Sequence, residues 1–113
     1  MIHIEKLKIP LEVITTSDVF RVIAVAPIYK YVDGRKQENL GLQGYRYTLG
    51  DIAICERIEM RILGQEKPIV TNEQLESSKA EIKARVEGAY AKPYRTNNGD
   101  YALSFTATKI VLV

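Results

Sequence analysis

Residues 45–63 read YRYTLGDIAICERIEMRIL, and this stretch decides the fold class. Tyr45 to Leu49 is short and rich in β-formers, and Gly50-Asp51 then separates it from a clear alternation. Ile52, Ile54, Ile58, Met60 and Ile62 share one face, while Arg57, Glu59 and Arg61 share the other. That is the period-two signature of a strand with one face in a core and one in water. Glu56 interrupts the apolar face, so a kink or bulge is expected near it, bending a long strand.

On the N-terminal side, residues 19–31 are β-branched and aromatic and end at the turn signal Asp33-Gly34. They form a first strand, after a lead-in over residues 2–9 that suits a short edge strand. Residues 32–44 are polar with three glycines and read as a loop of functional length. On the C-terminal side, Thr71 and Gln74 make a capping box, with Val70 and Leu75 placed as its hydrophobic staple. A helix of two to three turns is expected there. A second alternation sets Ile82, Ala84, Val86 and Gly88 inward and Lys83, Arg85 and Glu87 outward. Asn98-Gly99, inside the polar turn 96–100, then signals a hairpin into a final strand over residues 101–112.

The order is β-β-β-α-β-β within one domain, residues 1–113. An all-β, five-stranded OB-type barrel with one short helix between strands three and four has this order; other small barrels and a flat α+β sheet share much of it. OB barrels bind ligands on the face of strands two and three and in the first and last hairpin loops.

The 113 residues are 46% hydrophobic and 27% charged, the composition of a folded domain. No signal peptide and no apolar run of membrane-spanning length is legible, so a cytoplasmic protein with no membrane association is expected. Cys55, the single cysteine, has no internal disulfide partner and reads as a small buried or half-buried thiol. The net charge is only +2, but its distribution is uneven. Between Tyr29 and Tyr47, Lys30, Arg35, Lys36 and Arg46 outnumber Asp33 and Glu38, and Lys79, Lys83, Arg85, Lys92 and Arg95 outnumber Glu81 and Glu87 further on.

All seven tyrosines lie near these two basic segments: Tyr29 and Tyr31, Tyr45 and Tyr47, and Tyr90, Tyr94 and Tyr101. Residues i and i+2 share a strand face, so the first two pairs form aromatic ledges. Single-stranded nucleic acid is held by such ledges, which stack bases, beside cations that follow the phosphates. The nucleic-acid-binding residues expected are Tyr29, Lys30, Tyr31, Arg35, Lys36, Tyr45, Arg46, Tyr47, Lys92, Tyr94 and Arg95. Tyr90 and Tyr101, at strand positions, are assigned to packing. Tyrosine also packs half-buried at barrel rims, which is the competing account of each of the seven. Arg57 and Arg61, with Glu59 between them, read as a solvated mixed-charge face.

The second half of the chain (ARVEGAYAKPYRTNNGDYALSFTATKIVLV, with GYRYTLGD earlier) resembles the small OB-fold single-stranded-DNA-binding proteins of bacterial phages and conjugative elements, including the gene V type. The similarity is one of pattern over about the last seventy residues. It implies DNA contacts at Tyr45 and Tyr47 after Gly44 and at Tyr94 and Arg95 before Asn98-Gly99, and a homodimer. The chain departs from the cellular type in lacking tryptophan and an acidic C-terminal tail, ending instead in Ile110-Val111-Leu112-Val113. That apolar run suits barrel closure or a dimer edge.

A sequence-tolerant single-stranded-DNA-binding protein is thus expected, one that coats DNA during replication or transfer of a phage or mobile element. RNA is admitted as a further variant, because stacking does not read the sugar. The same aromatic surface would also suit a structural or adaptor β domain binding protein partners. Catalysis finds no motif: His3 is the single histidine and reads as a surface residue, and there is no Walker A loop, GxGxxG, CxxC or HExxH pattern. No enzyme, metal or cofactor is expected.

Overall fold

Alternating apolar and charged residues become strand at both places where the sequence carries them. The computed structural model describes residues 7–29, 31–32, 35–36, 41–51, 53–54 and 56–113. Along these the chain runs through β1 (Ile9–Pro10), α1 (Leu11–Ile14), β2 (Phe20–Tyr29), β3 (Tyr31–Val32), β4 (Arg35–Lys36), β5 (Leu42–Asp51) and β6 (Glu56–Leu63). It continues through α2 (Asn72–Ser77), β7 (Lys83–Glu87), β8 (Tyr90–Arg95), β9 (Tyr101–Ala107) and β10 (Lys109–Leu112). No helix among the described residues is long and apolar enough to cross a membrane. His3, Ile52 and Cys55 lie outside the described residues, as does most of the lead-in.

β2, β5 and β6 form an antiparallel meander. Ile58, Met60 and Ile62 are buried and Arg57, Glu59 and Arg61 exposed, as the alternation requires. The strand is shorter than expected at its start. Asp51 Oδ1 accepts the Ala53 N–H at 3.0 Å and closes a turn there, so the chain reverses before Glu56 instead of kinking at it. Strand two is correspondingly longer, running ten residues through Gly50-Asp51. Its pairing with β6 keeps one register from Gly44↔Leu63 to Asp51↔Glu56. Gly44 is needed at that end, because a Cβ there would collide with the Ile62 carbonyl.

The last two expected strands are each divided. Gly88 adopts a positive φ of 64°, and a Cβ on it would come within 2.5 Å of Thr108 Oγ1. The Thr108 N–H and Oγ1 both donate to the Glu87 carbonyl, at 2.9 and 2.8 Å, while Lys109 is the register partner of Glu87. The register is the same on both sides, Lys109↔Glu87 and Tyr90↔Thr106, so no residue is inserted; Gly88-Ala89 and Ala107-Thr108 leave the hairpin pairing together, and the long hairpin bends there. Its near half, β7 and β10, joins β2 through β7; its far half, β8 and β9, joins β6 through β9, which runs parallel to it.

The sheet order is therefore β1-β8-β9-β6-β5-β2-β7-β10. Because β7 and β8 are consecutive in the chain yet stand near opposite ends of this order, the sheet must curl toward itself. The result is an all-β, curled half-barrel of eight strands rather than five. β3 and β4 form a separate two-stranded sheet.

The concave side holds Phe20, Val22, Tyr47, Leu49, Met60 and Ile110, with Val70 entering from the segment before α2. The capping box forms as expected, Gln74 N–H to Thr71 Oγ1 at 3.2 Å and Thr71 N–H to Gln74 Oε1 at 2.8 Å. The helix is shorter than expected, six residues. What anchors it is Asn72, whose amide both accepts from the Val25 N–H (2.9 Å) and donates to the Val25 carbonyl (2.8 Å). These bonds fall beside a register shift in the β2·β5 pairing, where β2 would otherwise leave its backbone groups unpaired.

Candidate nucleic-acid interface

Residues opposite one another in a sheet share a face, so the register assigns the outer surface. On β5 and β6 it carries Arg46 directly opposite Arg61 and Thr48 opposite Glu59. Thr106, the β9 neighbour of Arg61, continues that face to Ser104 and to the partners of both on β8, Tyr90 and Lys92. Tyr94 follows Lys92 at i+2 on the same side.

Where β9 departs from β6 a groove of about 490 Å³ opens on this surface. Arg46, Glu59 and Arg61 form one wall, and Lys92, Tyr94 and Leu103 belong to the hairpin opposite. Arg46 Nε lies 3.8 Å from Glu59 Oε2, with both side chains about half exposed. Arg61 Nη2 donates to Thr106 Oγ1 at 3.3 Å. Tyr94 is 47% exposed, so its ring is available beside Lys92.

Two arginines face to face repel, and Glu59, the one carboxylate lining the groove among the described residues, answers only one of them. An anion between them would relieve that repulsion. The groove thus offers three cations and one open aromatic ring: it can hold phosphate and stack a base.

Of the eleven expected residues, the structure brings Arg46, Lys92 and Tyr94 together in this groove. Arg95 is exposed on the same hairpin but on its other face, as the register partner of Tyr101. Tyr47 is a correction: it is wholly buried, and cannot stack on a ligand. Its Oη donates to Gln65 Oε1 at 2.5 Å and accepts the Ile69 N–H at 3.0 Å. Burial pushes this hydroxyl's pKa up, against the opposing pull of the Ile69 and Gln65 hydrogen bonds. Tyr45 points the same way and is half-buried against the core, its Oη 3.5 Å from the Glu66 carbonyl. The expected Tyr45–Tyr47 ledge therefore faces inward, with Arg46 between them facing out.

Tyr29 ends β2 in the large sheet, and Tyr31 begins β3 in the small one, so these two are not neighbours on one strand. Lys30 lies outside the described residues, and for Tyr31, Arg35 and Lys36 only the backbone pairing is described, Tyr31 with Lys36 and Val32 with Arg35. Tyr90 is half-buried, with Lys8 Nζ 5.0 Å above its ring. Tyr101, assigned to packing, is instead 51% exposed, because β9 extends beyond its pairing with β6.

Arg61 is the groove residue that sequence reasoning passed over. Its signal was present, since the alternation already set it outward; its charge was discounted because Glu59 stood beside it. Glu59 leans to Arg46. Comparison of the chain with protein-family models, with curated proteins and with solved structures returns no match.

Proposed function

We propose that this chain is a binding protein, not an enzyme, that holds single-stranded DNA without sequence preference in the groove between β5–β6 and the β8–β9 hairpin. The observation that carries the reading is the register pair Arg46↔Arg61, standing across the groove from Lys92 and Tyr94. Three cations would follow the phosphates while Tyr94 stacks a base, which asks nothing of base identity.

The connectivity supports reading the half-barrel as an OB-type barrel. β2, β5 and β6 form its opening meander, β9 pairs parallel with β6, and β7 returns to β2. Strand four then corresponds to β7 with β8 and strand five to β9 with β10. The groove would lie on the strand two to three face and the last hairpin, where OB barrels bind ligands. With the resemblance to phage and conjugative-element proteins, this favours a cytoplasmic, homodimeric protein that coats DNA during replication or transfer of a mobile element.

A fluorescence titration with poly-dT at several salt concentrations tests the reading. Three phosphate contacts give a slope of log affinity against log salt of about −2, at roughly −0.7 per contact on single strands. No binding at low salt overturns it. A second reading, an adaptor that binds protein, draws on the exposure of Tyr101 on the other face of the hairpin. Nucleic acid co-purifying at low salt and released at high salt argues for the first reading and against the second. Poly-U in the same titration compares RNA with DNA.

A further inference from the structure

Among the described residues β10 ends the large sheet and is paired on one side only, with β7. In an antiparallel pair, successive residues alternately turn their N–H and C=O toward the partner and away from it. The Val113 N–H donates to the Lys83 carbonyl at 3.0 Å, and the register runs Leu112↔Ala84, Val111↔Arg85, Ile110↔Val86. Val111 and Val113 therefore use their backbone groups on β7, while Ile110 and Leu112 turn theirs outward. Among the described residues no strand meets them there. The N-terminal strand β1 does not, because Ile9↔Ala91 commits it to β8 at the opposite end of the order.

Exposed edges are normally blunted by proline, by charge or by a bulge. This one has a single charge, Lys109, at its beginning, with the break in the hairpin pairing at Thr108 before it. From Ile110 onward it is apolar and in regular register, with Leu112 49% and Val113 68% exposed although Ile110, on the same face as Leu112, is 3% exposed.

We propose that a second copy of this chain pairs on this edge, β10 against β10, antiparallel about a two-fold axis at Val111. The alternation makes the edge complementary to itself. Ile110 falls opposite the partner's Leu112, and Leu112 opposite the partner's Ile110, each pair exchanging both backbone bonds, four in all. The partner's Ile110 then lies beside the exposed Leu112 on the concave face and covers it. Val111 meets the partner's Val111 on the axis, and Lys109 meets the partner's Val113, so no like charges face each other. A closed two-fold pairing also uses up the edge, which an extended peptide of another protein would leave partly unmatched. This interface is independent of nucleic-acid binding.

Cysteine cross-linking of the whole chain tests it directly. Val111 and its counterpart form a pair without mutual backbone bonds, with Cα atoms about 4.5 Å apart, inside disulfide reach. In a Cys55→Ser background, mild oxidation of Val111→Cys is expected to give a covalent dimer in high yield, and Lys109→Cys far less. Sedimentation equilibrium of the unaltered chain is expected to give twice the chain mass. Leu112→Pro, which removes an N–H that serves no bond among the described residues, is expected to restore the single mass and to give a thermal melt that no longer depends on protein concentration. A monomer at millimolar concentration overturns the proposal. So does a dimer in which Val111→Cys cross-links no better than Lys109→Cys, whether or not Leu112→Pro folds.

Discussion

The hydroxyl of Tyr47 sits 2.5 Å from Gln65 Oε1 and ties strand β5 to the segment that leads into α2. It also accepts the Ile69 N–H, so one buried oxygen holds both ends of that connection. Tyr47→Phe leaves the Gln65 and Ile69 groups without this partner and is expected to destabilise the fold by about 1–3 kcal/mol. Chemical denaturation checks this. Because the folded pKa of Tyr47 is raised, its contribution is fully present below the ordinary phenol value and is lost as pH climbs through the folded one. Alkaline unfolding in Tyr47→Phe should therefore be less steep than in the parent. Its affinity for poly-dT, measured well below its unfolding range, should be unchanged.

Tyr94 and Lys92 separate stacking from charge. Tyr94→Ala is expected to weaken poly-dT binding by about 1–3 kcal/mol at every salt concentration while leaving the melting temperature alone, because the side chain is half exposed. Lys92→Ala should instead flatten the salt dependence by about 0.7 in slope. Titrations of both variants across a salt series distinguish these signatures. An unchanged slope for Lys92→Ala would remove it from the phosphate track.

Glu59 competes with phosphate for Arg46, from which it lies 3.8 Å away. Glu59→Gln frees that guanidinium and is expected to tighten binding by about 0.2–1 kcal/mol, the range of exposed ion pairs. The same titration reads it. Stability should fall slightly, since Arg46, still opposite Arg61, then loses its carboxylate partner.

Asp51 gives the fold an acid limit. It is 2% exposed; burial alone would raise its pKa, but hydrogen bonds from Ser17, at 2.6 Å, and from Thr15, Ala53 and Ile54 together hold it lowered. A lowered folded value means stability that is present above the ordinary carboxylate range and is lost as pH falls through the folded pKa. Acid unfolding followed by circular dichroism should show this loss, and Ser17→Ala should move it to higher pH. Asp51→Asn should be less stable at neutral pH and less sensitive to acid.

Elements built from short-range pattern were legible. The outward row Arg57, Glu59, Arg61 follows from alternation alone. So does the capping box at Thr71 from two residues three apart, and the last hairpin from Asn98-Gly99, where Thr96 N–H donates to the Asp100 carbonyl at 2.7 Å. The facing of the tyrosine pairs was not. In Tyr45-Arg46-Tyr47 the aromatic residue suits either side of a strand, and proximity to basic residues favoured the outer one. Leu49, two residues on and wholly buried, carried the decisive phase, since it shares a face with both tyrosines.

By itself the sequence determined that the chain is a β protein with one capped helix, which residues of β6 and β7 face water, and that its cations cluster near tyrosines. Those properties depend on residues a few positions apart. The tertiary structure alone decided that the last two strands break at Gly88 and Thr108, that β9 lies parallel to β6, and that Arg46 and Arg61 stand opposite each other with Lys92 and Tyr94 across the groove. These depend on groups some fifteen to fifty residues apart, brought together only when the hairpin bends and the sheet curls over a shared core. No local propensity encodes such a meeting.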